Sequence, residues 1–85
     1  MANYQVLYWQ DIPSQVKAWD DFDEIKLQLD SRFMERIDAV AQKNGFTDTD
    51  SYLAQWNWSE PKEMEGDADE VAERIKDQIE SEYEL

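Results

Sequence analysis

With 85 residues and a formal net charge of −13, from 21 acidic against 8 basic side chains, the chain has room for one modest core inside a strongly negative surface. That field repels phosphate backbones and anionic lipid, which disfavours direct nucleic-acid and membrane-surface binding, and no apolar run approaches the roughly 20 residues of a bilayer span. The absence of Cys and His removes disulfides, thiol nucleophiles, cysteine-type zinc sites and the commonest general base, so no cofactor or metal is expected.

Disorder can produce such a charge balance, but 41% hydrophobic residues in periodic patterns argue for a folded domain spanning 1–85. Four Trp, four Tyr and three Phe are the means by which so short a chain collects buried area. The start, Met1-Ala2-Asn3-Tyr4, lacks the basic and apolar regions of a signal peptide, so a cytoplasmic location is expected.

Residues 4 to 9 alternate, with Tyr4, Val6 and Tyr8 on one face and Gln5, Leu7 and Trp9 on the other. Period two with aromatic and β-branched residues predicts a strand, and apolar residues on both faces predict a central or doubly covered one. Pro13 lacks a ladder donor, so residues 10 to 14 are expected to form a loop. Alternation resumes over 15 to 19, where Val16 and Ala18 oppose Gln15, Lys17 and Trp19. Residues 20 to 23 read as a polar turn. Glu24 to Leu29 then form a third strand with Ile25, Leu27 and Leu29 inward, completing an antiparallel meander.

Asp30 or Ser31 is placed to cap a first helix whose buried stripe is Phe33, Ile37, Val40 and Ala41, flanked by Met34. Asn44-Gly45 stops it, and Phe46 is expected to pack back on its end. Thr47, Asp48, Thr49 and Asp50 offer caps for a second helix with Tyr52, Leu53 and Trp56 on its inner face and Pro61 as its far limit. Lys62 to Glu65 suggest a short edge strand around Met64. Asp67 with Glu70 three residues on resembles a capping box for a last helix striped by Ala68, Val71, Ile75, Ile79 and Tyr83. Glu70–Arg74 and Lys76–Glu80 are spaced as i,i+4 pairs, while Glu80, Glu82 and Glu84 load the negative end of the helix dipole, so the last turn is expected to fray. The fold class is therefore α+β: a three-stranded antiparallel sheet with a short fourth strand, covered by three helices in the order β-β-β-α-α-(β)-α.

The segment Tyr8-Trp9-Gln10-Asp11-Ile12-Pro13-Ser14-Gln15-Val16 resembles the opening of the small bacterial "virulence factor" domain family. The resemblance continues through Phe33, Ile37-Asp38 and Asp50-Ser51-Tyr52-Leu53-Ala54-Gln55-Trp56, covering roughly residues 4 to 60. It implies a bacterial, cytoplasmic accessory module, found alone or joined to HEAT-like repeats in conserved virulence factor C proteins, with no known catalytic residue set. The turn Asp20-Asp21-Phe22-Asp23 departs from the basic character expected of the family at that point.

Candidate chemistry is sparse. Asp11, between an aromatic pair and Ile12-Pro13, can present a carboxylate beside an apolar surface, but an Asp that bonds loop backbone N–H groups is the more ordinary role. Asp20, Asp21, Asp23 and Glu24 can offer oxygens to a hard cation, yet lack the glycine and distal Glu of a calcium loop. Asp48 with Asp50, and Asp67 with Asp69 and Glu70, fit helix starts better than metal sites. A chain this short hardly supplies the cleft that paired carboxylates need for hydrolysis, so an enzyme acting alone is not expected. The strand–helix–helix order from Ile25 to Trp56 resembles that of ribbon-helix-helix DNA binders. Their reading face would here be Glu24, Lys26 and Gln28 on a chain of charge −13, and DNA binding is rejected on that ground.

The aromatic residues carry the functional expectation. Trp9, Trp19, Trp56 and Trp58 cannot all be interior by strict alternation, although packing in the core is the ordinary fate of each. Trp58 and Trp19 are the first choices for exposure, with Tyr8, Trp9 and Asp11 next, as a partner-binding patch on an acidic surface. The expected function is non-catalytic protein–protein interaction, as an accessory or assembly domain with a protein partner. Alternatives are an acidic nucleic-acid mimic on a partner's basic site and a small accessory subunit of a metabolic enzyme. Monomer and homodimer are both compatible with the sequence.

Overall fold

The computed structural model describes residues 1–46 and 48–83. Eight elements follow in chain order: β1 (Ala2–Trp9), β2 (Ile12–Trp19), β3 (Glu24–Gln28), α1 (Ser31–Lys43), α2 (Thr49–Leu53), β4 (Trp56–Trp58), β5 (Lys62–Met64) and α3 (Ala68–Glu82). The α+β class and the antiparallel meander hold, and the sheet gains a strand that the sequence reading took for helix.

β1 is the central strand. It pairs with β2 along its length, from Asn3 opposite Trp19 to Trp9 opposite Ile12. Its other edge is shared: β4 pairs with Leu7–Trp9 and β5 with Ala2–Tyr4. Between them Ser59 closes the ladder, donating its N–H to the Val6 carbonyl and accepting the Val6 N–H on Oγ, both at 2.9 Å. The sheet order is β3-β2-β1-β4, with β5 beside β4 along β1.

The loop expected over residues 10 to 14 is instead a two-residue hairpin turn. Gln10 takes φ +55°, a conformation usually left to glycine, and its N–H is held by the Gln55 carbonyl at 3.0 Å. Pro13 lies inside β2 and is fully buried. It is tolerated because the register shifts there: Tyr8 faces Pro13 while Leu7 faces Gln15, so Ser14 is the extra residue of a bulge. The Ser14 carbonyl accepts the Leu29 N–H at 3.1 Å, which ties the chain at the end of β3, two residues before α1, to the bulge.

Asp30 occupies the N-cap of α1, but its side chain makes no cap bond; its carbonyl accepts the Phe33 N–H. The other end follows the sequence closely. Gly45, at φ +81°, donates to the Gln42 carbonyl and Phe46 donates to the Ala41 carbonyl, the paired bonds of a Schellman cap. Asp48 caps α2 through the Ser51 N–H and Asp67 caps α3 through the Glu70 N–H. Thr47 and Glu84, also named as cap and dipole residues, lie outside the described residues.

α2 stops at Leu53, which is 56% exposed rather than inward. Trp56 leaves the helix to pair with Trp9 in β4, because burying its ring against Tyr52 and the Trp9 region outweighs another helical turn. Lys76–Glu80 forms at 3.3 Å as the spacing predicts; no Glu70–Arg74 ion pair is present among the described residues.

Two clusters make the core. The first packs Val6, Val16 and Ala18 of the sheet against Val71, Ala72, Ile75 and Ile79 of α3, with Leu29 and Phe33 at one end. The second gathers Ile12, Ile37 and Ala41 around Trp9, with Phe46, Tyr52 and Trp56 at its edge. Phe33 and Ile37 are one helical turn apart, so α1 joins the two.

Trp9 contributes most to the second cluster. Its ring is fully buried, in edge contact with Phe46 at 5.7 Å and tilted against Tyr52 at 5.5 Å. Its indole N–H donates to the Tyr52 carbonyl at 2.9 Å. Trp9→Ala is expected to cost about 3–5 kcal/mol, a large share of the total for a domain this size, and Trp9→Phe less, chiefly the lost hydrogen bond. Urea unfolding of the three proteins checks the order.

Candidate functional site

The period-two pattern sorts the sheet into unequal faces. The inner face is covered by α3. On the outer face, Trp9, Ile12 and Trp56 are covered by α1 with Phe46 and Tyr52, while the rest carries no helix among the described residues. This open area holds Asn3, Gln5 and Leu7 of β1, Gln15, Lys17 and Trp19 of β2, and Trp58 of β4, with Glu24, Lys26 and Gln28 at the β3 edge. β1 is therefore covered on both sides only at its Trp9 end.

At the centre of the open face stands Lys17. Its ammonium lies 5.4 Å from the centre of the Trp19 ring and 5.7 Å from that of Trp58, with the Glu24 carboxylate at 3.4 Å. Two indoles and one carboxylate thus hold a single cation, each contact worth on the order of 0.5–1 kcal/mol at an exposed site. Trp58 is 41% exposed and Trp19 half-buried, so both indoles remain partly open. Gln5 is fixed beside them, donating its side-chain N–H to the Ser59 carbonyl at 2.9 Å. The result is an amphipathic sheet surface whose acidic neighbours, Glu24, Glu60 and Glu63, are exposed.

The other sequence-derived candidates do not join this face. Trp9 is a core residue; the cause is the α1–α2 cover at its end of the strand, and an exposed role for it is corrected. Tyr8 points to the α3 side, beside Tyr4 and Tyr83. Asp11 is exposed at the hairpin turn, near Ile12, Arg36 and Val40, and makes no hydrogen bond to loop N–H groups among the described residues. Lys17 was missed as a site residue, although its place on the Trp19 face followed from the alternation.

The acidic turn has a structural role. Asp20 accepts the N–H groups of Phe22 at 2.8 Å and Asp23 at 2.7 Å on one oxygen and that of Ala68, the first residue of α3, at 3.0 Å on the other. The Phe22 bond first, then those of Asp23 and Ala68, hold its carboxyl below the usual range. No group of three or more candidate metal-ligating side chains is present among the described residues. Phe22 stands 91% exposed at the tip.

A family model described as "Virulence factor" matches residues 7–85, and the chain belongs to that family. No curated protein matches the chain, and no solved structure matches it. No helix among the described residues is long and apolar enough to cross a membrane.

Two expectations follow. Trp58→Ala, at an exposed ring, changes stability by no more than about 1 kcal/mol, in contrast to Trp9→Ala, as read from denaturation midpoints. Asp20 binds its proton less readily when folded, so the stability it adds is present above the unfolded value, near 3.8, and is lost as pH falls through its lower folded value. The gap between wild type and Asp20→Ala should therefore be full at pH 7 and narrow below about pH 4 in urea titrations.

Proposed function

We propose that the chain is a non-catalytic interaction domain that docks a protein partner on the open sheet face, with Trp58, Trp19 and Lys17 at the centre of the contact. The observation that carries this reading is the pair of partly exposed tryptophans gathered around Lys17 on the part of the sheet face that carries no helix among the described residues. Tryptophan and tyrosine supply large contact area at little conformational cost, and they dominate interface hot spots. The acidic rim and the net charge of −13 select a partner whose contact surface is apolar at its centre and basic at its edge.

The charge also favours a second reading, an acidic mimic that occupies a basic nucleic-acid site on its partner. Salt separates the two. Charge mimicry loses its partner steeply as ionic strength rises, whereas a contact built on buried indoles persists.

The test is affinity capture from cell extract at low and high salt with wild type, Trp58→Ala and Trp19→Ala. A stoichiometric partner that persists at high salt, with affinity reduced about 30-fold or more by Trp58→Ala, agrees with the aromatic face. Loss with salt and indifference to both tryptophans would favour mimicry.

A further inference from the structure

On the other side of the sheet, β1 and the C-terminal half of α3 enclose a groove of about 210 Å³. Its floor is apolar, formed by Val6, Ile75 and Ile79. Three of the four tyrosines of the chain line it: Tyr4 and Tyr8 from β1, and Tyr83 from the end of α3. None of the three phenol hydroxyls has a hydrogen-bond partner among the described residues, and Tyr83 is seated by an edge contact with Phe33 at 6.0 Å. Burial first, then the neighbouring Tyr83 and Tyr4, push the Tyr8 phenol up from its ordinary value, so it remains a neutral donor.

The charged lining is polarised along the groove. Lys62 sits opposite Tyr4 in the β1–β5 register, and Glu82 precedes Tyr83 at the Tyr8 end. Four residues of strand separate those ends, about 13 Å, which two long side chains shorten by reaching inward. Neither Lys62 nor Glu82 forms an ion pair among the described residues; Glu82 accepts only a 3.4 Å bond from Gln78. Ser59, at the rim, accepts the Val6 N–H on one Oγ lone pair and keeps its own O–H to donate.

We infer that this groove binds a small elongated zwitterion, with its carboxylate toward Lys62 and Ser59, its ammonium toward Glu82 among the tyrosine rings, and its apolar spacer on Val6, Ile75 and Ile79. The volume lies below the 300–1,000 Å³ usual for drug-sized ligands, which restricts the occupant to a short molecule. Tyrosine faces attract an ammonium and the acidic surface raises its local concentration, while Lys62, the one cation lining the groove among the described residues, serves the opposite end. The groove lies across the sheet from the proposed protein-docking face, so the two sites stand or fall separately.

The test uses the intact chain, labelled with ¹⁵N, and four probes: 6-aminohexanoate, hexanoate, hexylamine and, for the charge-reversed variant, 1,6-diaminohexane. Expected is a millimolar response at the amides of Tyr4, Tyr8, Ser59 and Tyr83, with 6-aminohexanoate bound about fivefold more tightly than either singly charged probe. Lys62→Glu, at an exposed position, should weaken 6-aminohexanoate by about the same factor and make 1,6-diaminohexane the best ligand. Equal affinity for all probes, hexylamine as the tightest in wild type, shifts mapping elsewhere, or no response would each overturn the assignment.

Discussion

The burial of Trp9 is the constraint on which the rest of this small structure depends. A fully enclosed indole must find an acceptor for its N–H, and here the acceptor is the carbonyl of Tyr52, 43 positions further along the chain. That bond has consequences in order. The same carbonyl also accepts the Gln55 N–H at 3.3 Å, which turns the chain out of α2. The Gln55 carbonyl then receives the Gln10 N–H, which brings the hairpin turn and the start of β4 together. Trp56 falls opposite Trp9, and two residues later Trp58 falls opposite Leu7 on the uncovered part of the sheet. The exposed tryptophan is thus positioned by the buried one.

Coverage follows from how little apolar helix the chain can provide. α3 has one continuous stripe and uses it on the inner sheet face. α1 divides its stripe, giving Phe33 to the α3 side and Ile37 and Ala41 to the Trp9 cluster, so it straddles the end of the sheet instead of lying along its outer face. α2, with five residues and none buried, covers little more than the Trp9 corner. What remains open is populated by side chains suited to water on one side and contact on the other: glutamines, a lysine drawn over two rings, and the rings themselves. A partly exposed tryptophan pair on a surface is costly to solubility, and the charge of −13 offsets that cost.

Much of this was legible from residue order. The alternation of Tyr4 to Trp9, of Gln15 to Trp19 and of Glu24 to Leu29 identified the meander, and Asn44-Gly45 and Asp67 marked helix ends where the backbone bonds now stand. Three features were hidden for physical reasons. Gln10 adopts a positive φ without being Gly or Asn, so the tight turn carried no local signal. Pro13 reads as a breaker unless the bulge that excuses its missing N–H is known, and a bulge is a property of the pair of strands. Tyr52 and Trp56, four apart, fit one helix face as well as they fit their actual roles, and Trp-Asn-Trp is too short for period two to decide. Of the open face, Lys17 beside Trp19 was visible from β2 alone; Trp58 joined them only through the β1–β4 register, a contact between positions about 40 to 50 apart.

The end of α3 shows how an interaction unfavourable within one element becomes favourable between two. Glu80 and Glu82 lie at the negative pole of that helix, where their charge favours fraying. Glu80, however, faces the positive pole of α1: its carboxylate accepts the Asp30 N–H at 2.9 Å, and its carbonyl accepts the Arg32 guanidinium. It therefore satisfies the N-cap residue's own N–H, the donor that an N3 Glu serves in a capping box, from a position 50 residues away. Lys76, one turn earlier, pairs with the same carboxylate and keeps it in place. With the last turn held in this way, Tyr83 is seated on Phe33, and the groove beside Tyr8 has a wall. A helix end that local charge would loosen is thus fixed by the helix it caps, and the groove between Lys62 and Glu82 depends on that exchange.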